Sequence, residues 1–217
     1  RIAFARKADV SHSTQAHGDT SIEVIHENEQ HAWADATISW GSVKVTNQIT
    51  GFDVHDRESG RSLGEQPLTL PQRSYDSVAV WWTLPAIEVS QLLEESRVAG
   101  AAHAAEHAAI GILPLFAECD RWDIGGVSTV HHPATGRLTV FVHDGYPGGA
   151  GFSERGFAVM RPWLQATLET IRDCECFDGC PRCVVSPKCG NRNEPLDKDG
   201  AVILLTALLA SAPTHSK

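Results

Sequence analysis

Five cysteines, Cys174, Cys176, Cys180, Cys183 and Cys189, fall within sixteen residues of a chain that has one other, Cys119. A segment so rich in thiols and in turn formers (Gly179, Pro181, Pro187, Gly190) has little apolar content with which to hold itself together. A bound metal would supply that folding energy. Disulfide frameworks of secreted domains spread their cysteines along the chain. A local cluster behind no export leader reads instead as a metal site in a reducing compartment. Tetrahedral zinc takes four ligands, with sulfur about 2.3 Å from the ion. Five thiols are one too many, so one is spare. The spacing favours Cys174, Cys176, Cys180 and Cys183, with Cys189 as the leading substitute. No histidine or water-activating carboxylate is built into the run, so the expected site is closed and structural, with one zinc. Three other readings stay open: an iron–sulfur cluster, a redox pair from Cys180-Pro-Arg-Cys183, and thiols that bind nothing.

The rest of the chain divides near Pro85. Before it, Ser21–Ile25, Ala36–Thr46, Gln48–His55 and Ser77–Thr83 read as strands, with a bend or bulge at Gly41 and a turn over Glu58–Gly64. Arg6–Gly18 is polar and reads as a loop. After Pro85, Ile87, Leu92 and Leu93 suggest a short helix, and the alanine-rich Ala99–Phe116 suggests a buried one that Pro114 ends or kinks. Gly126–His131 and Arg137–His143 form a hairpin pattern around Pro133–Gly136. A helix opens near Ser153, with Pro162 as a dividing point, and Asp199–Ala210 closes the fold. The expected class is α+β. A strand-rich sheet or small barrel, residues 1–85, precedes a helical part, residues 86–217, that carries the hairpin and the cysteine cluster. The six tryptophans sit in strand and helix contexts that favour core packing over base stacking.

Two further constellations carry chemistry. His103-x-x-Glu106-His107 matches the inverted zinc-hydrolase pattern H-x-x-E-H, which on a helix puts both imidazoles on one face. A hydrolase would need a third ligand, for which Glu169 is the candidate. The plainer reading is two hydrogen-bonded histidines in a polar cluster. Asp123-Ile-Gly-Gly and the glycine-rich run Asp144–Gly151 are expected to be tight turns. Backbone N–H groups at Gly148, Gly149 and Gly151 are candidate phosphate contacts. Asp123 and Asp144 are further candidates for one polar site with His103, Glu106 and His107. No G-K-[ST] or D-E-x-H motif is present, so no nucleotide triphosphate site is expected here.

The run from His103 to His107, CDRWDIGG (119–126), DGYPGGAGF (144–152) and CECFDGCPRCVVSPKCGNRNEPLDK (174–198), in that order, resembles the C-terminal zinc-binding domain of mitomycin repair factor A-like helicases. These are superfamily-2 DEAD/DEAH-box enzymes. The likeness covers residues 100–210, and residues 1–85 more weakly resemble the strand-rich segment that precedes that domain. It implies a parent that is an ATP-dependent 3′–5′ DNA helicase in DNA repair, using ATP and Mg2+ in its RecA-like motor domains. This chain would be a non-catalytic accessory module that helps organise accessory domains around single-stranded DNA. It also implies that the zinc ligands are Cys174, Cys176, Cys180 and Cys183. An opening Arg1 fits an excerpt of a longer polypeptide.

Charge and hydropathy bound the alternatives. Eighteen basic and 27 acidic residues give a formal charge of −9, which argues against a stand-alone nucleic-acid binder. The longest apolar-rich stretch, Ala201–Ala210, is ten residues and too short to span a bilayer, for which about 18 or more are needed. The expected place is the cytoplasm, at the nucleoid. Beside the helicase module stand a zinc hydrolase acting through His103, Glu106 and His107, and a generic zinc-stapled protein-interaction domain.

Overall fold

The computed structural model describes residues 8–213. Four strands come first: β1 (His12–Trp33), β2 (Ala36–Asp56), β3 (Ser62–Pro67) and β4 (Arg73–Leu84). Three helices follow: α1 (Ala86–Leu92), α2 (Glu95–Ile112) and α3 (Pro114–Ala117). A hairpin of β5 (Ile124–Thr129) and β6 (Leu138–Asp144) leads to α4 (Phe152–Ala158), α5 (Met160–Arg172) and α6 (Lys198–Ala210). The architecture is α+β, an open antiparallel sheet in the order β1-β2-β4-β6-β5, with β3 on the distal half of β2. Residue 85 lies between β4 and α1, and the sheet runs across it, since β4 pairs with β6 from Ala79↔His143 to Leu84↔Leu138.

Side chains alternate along a strand, and β4 uses both faces. Trp82 points to the helices and meets Trp163 of α5 edge-on at 6.0 Å, whereas Trp81 points the other way and meets Phe141 at 5.5 Å. The helical side holds the main core: Ile38, Val80, Leu84, Val140 and Val142 pack under α2, α5 and α6. The far side holds a smaller cluster of Ile22, Val43, Val45, Ala79, Trp81 and Phe141. Helix α2 is buried along most of its length, which its alanines permit by allowing close approach. A Cβ at Gly200 of α6 would stand 2.7 Å from the Ala101 Cβ.

Several local expectations change. The polar stretch read as a loop over Arg6–Gly18 is strand from His12 onward, while Arg6 and Lys7 lie outside the described residues. Ala36–Thr46 and Gln48–His55 are one strand, not two, because β1 supplies a partner along the whole of β2. Gly41 does mark an irregularity, but the extra residue is on β1, where the register shifts between Glu27 and Glu29. A Cβ at Gly41 would lie 2.0 Å from the His26 carbonyl oxygen, so only glycine admits that approach. The helix break near Pro162 falls at Val159, and Pro162 sits in the first turn of α5, where its missing N–H costs nothing. Trp33, Trp81, Trp82 and Trp163 are buried, but Trp122 is 63% exposed.

Candidate metal centre

Helix α5 ends at Arg172, and the chain turns at once into Cys174 and Cys176. Gly179, at φ +117°, reverses it, and a short turn presents Cys180 and Cys183. The turn is closed by the Cys183 and Val185 amides donating to the Cys180 carbonyl at 3.0 and 3.1 Å. The four sulfurs converge: Cys174–Cys176 3.5 Å, Cys174–Cys180 3.6 Å, Cys176–Cys183 3.5 Å and Cys180–Cys183 3.9 Å. A regular tetrahedron with 2.3 Å metal–sulfur bonds has edges of about 3.8 Å. The donor set and its spacing therefore fit zinc, which would cross-link the end of α5 to the turn that follows. Hydrogen bonds from the Cys176 amide and the neighbouring thiols pull Cys174 below the usual thiol range, while burial pushes Cys183 up. Lys198, at the start of α6, donates to the Cys174 and Cys176 carbonyls at 2.6 Å each and ties the cluster to the last helix.

Cys189 is not among these four. It lies against α2, with its sulfur 3.5 Å from His103 Nε2. His103 and His107, one helical turn apart, have ring centroids 4.2 Å apart. The Nδ1 of His103 lies 2.8 Å from the Pro195 carbonyl and that of His107 2.8 Å from the Val184 carbonyl. Carbonyls only accept, so both Nδ1 atoms carry the proton and both Nε2 atoms present a lone pair. Burial lowers both imidazoles, His107 to about 4, with the His103 ring adding to the effect. Glu169, the candidate third ligand, lies instead on the exposed face of α5 and accepts from Gln165 at 2.7 Å.

The remaining candidates separate. Glu106 is buried against β5, where a Cβ at Gly126 would come within 2.8 Å of it, and burial raises its carboxyl to about 7 against the pulls of Ser128 and Lys188. Asp123 sits at the surface, accepting from the Tyr146 hydroxyl at 2.5 Å and the Asp120 amide at 2.8 Å. Asp144 is fully buried and receives the amides of Ala150, Gly151, Phe152 and Ser153 at the start of α4. Asp123 and Asp144 thus do not join the histidines, whereas Glu106 lines the same cleft as His103 and His107. The glycine amides are also engaged: Gly148 donates to Asp76 O, Gly149 to Tyr146 O and Gly151 to Asp144. None of the three is left free for a phosphate. Lys188, which the motif reading passed over, donates to the Arg121 and Ile124 carbonyls and stands 5.9 Å over the Trp122 ring. Its neighbours in sequence, Pro187 and Cys189, gave no sign of that role.

The family model described as the MrfA Zn-binding domain matches residues 105–184, a stretch containing all four converging cysteines. Protein MJ1572.1 of Methanocaldococcus jannaschii is 39% identical over 111 residues, which is 50% of this chain and 99% of that protein. The chain belongs to the MrfA zinc-binding domain family. The ATP-dependent helicase YprA of Bacillus subtilis is 28% identical over 184 residues, 84% of this chain and 24% of the helicase. The crystal structure of the DUF1998 helicase MrfA bound to DNA superposes with a TM-score of 0.58 at 26% identity, over 93% of this chain and 26% of that one. This MrfA-type chain therefore spans about a quarter of the length of the helicases it matches. Among the described residues no helix is long and apolar enough to cross a membrane.

Proposed function

We propose that the chain is the non-catalytic, C-terminal zinc-binding accessory module of an ATP-dependent 3′–5′ DNA helicase that acts in DNA repair. In this reading one structural zinc is held by Cys174, Cys176, Cys180 and Cys183. The 1–85 segment supplies β1 to β4 of a strand-rich platform that β5 and β6 of the 86–217 segment complete, and the 86–217 segment carries the zinc. The module packs beside RecA-like motor domains of the same polypeptide, which bind ATP and Mg2+, and organises accessory domains around single-stranded DNA. It works in the cytoplasm, at the nucleoid.

The observation that carries this is the tetrahedral spacing of four thiols inside the stretch matched to the MrfA zinc-binding domain. Two facts support the wider reading: the relatives include a helicase named as ATP-dependent and a helicase crystallised with DNA. The formal charge of −9 supports a role through the parent rather than DNA binding by the module alone.

The test is made in the parent polypeptide. Replacing Cys180 and Cys183 together by serine should abolish most unwinding of a 3′-tailed duplex while leaving ATP hydrolysis by the motors in place. The isolated chain should turn over no ATP. Unwinding at full rate by the serine variant, or ATP turnover by the isolated chain, would refute the proposal.

A further inference from the structure

The cluster of His103, His107 and Cys189 has no part in the four-cysteine site, and two of its three members lie outside the stretch matched to the zinc-binding domain. Its ligand atoms all lie within 4.8 Å of one another, and all three residues are buried. A tetrahedral ion with one sulfur at 2.3 Å and one imidazole nitrogen near 2.05 Å places those two atoms about 3.6 Å apart. The Cys189 Sγ to His103 Nε2 distance is 3.5 Å.

The surroundings are those of a metal site. Each imidazole is fixed by an Nδ1–H bond to a backbone carbonyl, which orients its Nε2 and sets its tautomer. The Cys189 sulfur accepts the Asn191 and Asn193 amides, both at 3.3 Å, which oppose but do not outweigh the burial that pushes this thiol up. Arg192 and Asn193 adopt left-handed backbone conformations at φ +56° and +61°, wrapping the loop around that sulfur. Asn193 also closes the loop through paired bonds with the Ser186 backbone at 2.7 and 3.0 Å. The loop is clamped to the sheet by Arg192 on Asp53 at 2.7 Å and on Glu65 at 2.8 Å. Without a cation, one S–H proton can serve only one of two imidazole lone pairs. A cation engages all three groups.

We propose that His103 Nε2, His107 Nε2 and Cys189 Sγ form a second site for a zinc-class divalent cation, separate from the four-cysteine site. Imidazole and thiolate donors in this ratio suit zinc among the common divalent ions. Three protein ligands leave the fourth position to an exchangeable water. All three side chains line a cleft of about 490 Å³, which also reaches Glu106, His143 and Lys188. The coordination position would therefore face solvent, unlike that of a closed structural site.

The test is zinc content by elemental mass spectrometry on protein made without a polyhistidine tag and purified without chelator, together with zinc X-ray absorption on the same sample. Two zincs per chain are expected, with a mean shell of about 2.5 sulfurs and one imidazole nitrogen per zinc, since five thiolates and two imidazoles are shared between two ions. Cys189→Ala should lose one zinc and leave an all-sulfur shell. Cys180→Ser should lose the other and leave a nitrogen-rich shell. A single zinc in a nitrogen-rich shell in the unaltered protein would still support this site and would count against the four-cysteine one. A single zinc in an all-sulfur shell would overturn the proposal. So would two zincs whose count is unchanged in Cys189→Ala. The absorption measurement needs no variant, so a misfolded mutant does not shield the proposal.

Discussion

Replacing Asp144 by asparagine is expected to destabilise the protein by about 3 kcal/mol. The Asp144 carboxylate is fully buried and receives five donors. Its Oδ2 accepts the amides of Ala150, Gly151 and Phe152 at 2.5, 2.9 and 3.3 Å. Its Oδ1 accepts the Ser153 amide at 2.8 Å and the Ser153 hydroxyl at 2.6 Å. Asparagine keeps one acceptor oxygen. In its better orientation that oxygen faces the three Oδ2 donors, and the Ser153 hydroxyl turns to accept from the new NH2 group. The Ser153 amide then loses its acceptor, at about 1–3 kcal/mol for a buried unpaired donor. Three bonds also change from charge-assisted to neutral, at roughly 1 kcal/mol each. Relief from burying a charge offsets part of this, on the order of a few kcal/mol, which leaves the net near 3. For a chain of this size that is a fall in melting temperature of roughly 6–12 °C. The assay is urea unfolding with thermal melting, at constant zinc. The control is Asp19→Asn, whose exposed carboxylate on β1 should cost within about 0.5 kcal/mol. A loss at Asp144 below about 1 kcal/mol, or no larger than the control's, would refute the idea that this carboxylate holds the start of α4.

Gly126→Ala places a Cβ 2.8 Å from the Glu106 side chain and from the Phe141 carbonyl oxygen; it should destabilise by about 1–3 kcal/mol in the same melts, and an unchanged melting temperature would mean that β5 and α2 are not so closely apposed. Stripping metal with a chelator should speed amide exchange over residues 174–197 while the paired amides of β4 and β6 keep their protection, as read by hydrogen exchange with mass spectrometry. Uniform loss of protection would contradict a zinc role confined to that segment. Burial acts to raise the Asp197 carboxyl, but the Arg97 ion pair and the Gly200 amide outweigh it and hold it below the ordinary 3.8. A depressed folded value means that its contribution is present above 3.8 and is lost as pH falls through the folded value. The stability gap between the native protein and Asp197→Asn should therefore close in acid, and a gap constant down to the lowest accessible pH would contradict this.

The elements that bury a regular pattern were legible from sequence. The alanines of α2, the alternating Trp81 and Trp82 of β4, and the apolar run of β6 each announce the surface they meet. Of β1 only the Ser21–Ile25 stretch was legible, because Ile22 and Trp33 alone of its 22 residues are buried. An edge strand half in solvent has no alternation to read. Its turn, Ala34–Asp35 with Ala34 at φ +50°, carries no glycine to mark it. The four cysteines could be picked out because their spacing along the chain is also their spacing in space. Cys189 could not be placed that way. Its neighbours are His103 and His107, more than eighty residues earlier, and the groups that orient those imidazoles are the Val184 and Pro195 carbonyls, which have no sequence signature.

The two clusters are joined by a short stretch of chain. Cys183 belongs to the first cluster, while the carbonyl of the next residue, Val184, fixes His107 of the second. Val184 itself is fully buried in the main core. Further along, the Pro195 carbonyl fixes His103, and Asp197 then caps α6 and pairs with Arg97 of α2. Residues 183–197 thus have few ways to move that do not disturb both sets of ligands. An ion bound at either cluster restricts this stretch, so it also lowers the entropic cost of ordering the other. Such a coupling is reciprocal by necessity. The chain has no large apolar residue between Val185 and Leu196 with which to order this loop by burial. Its order must come from thiols, imidazoles, the Arg192 clamp and backbone hydrogen bonds. That explains why a stretch with so little apolar content to order it is one where metal-binding side chains converge.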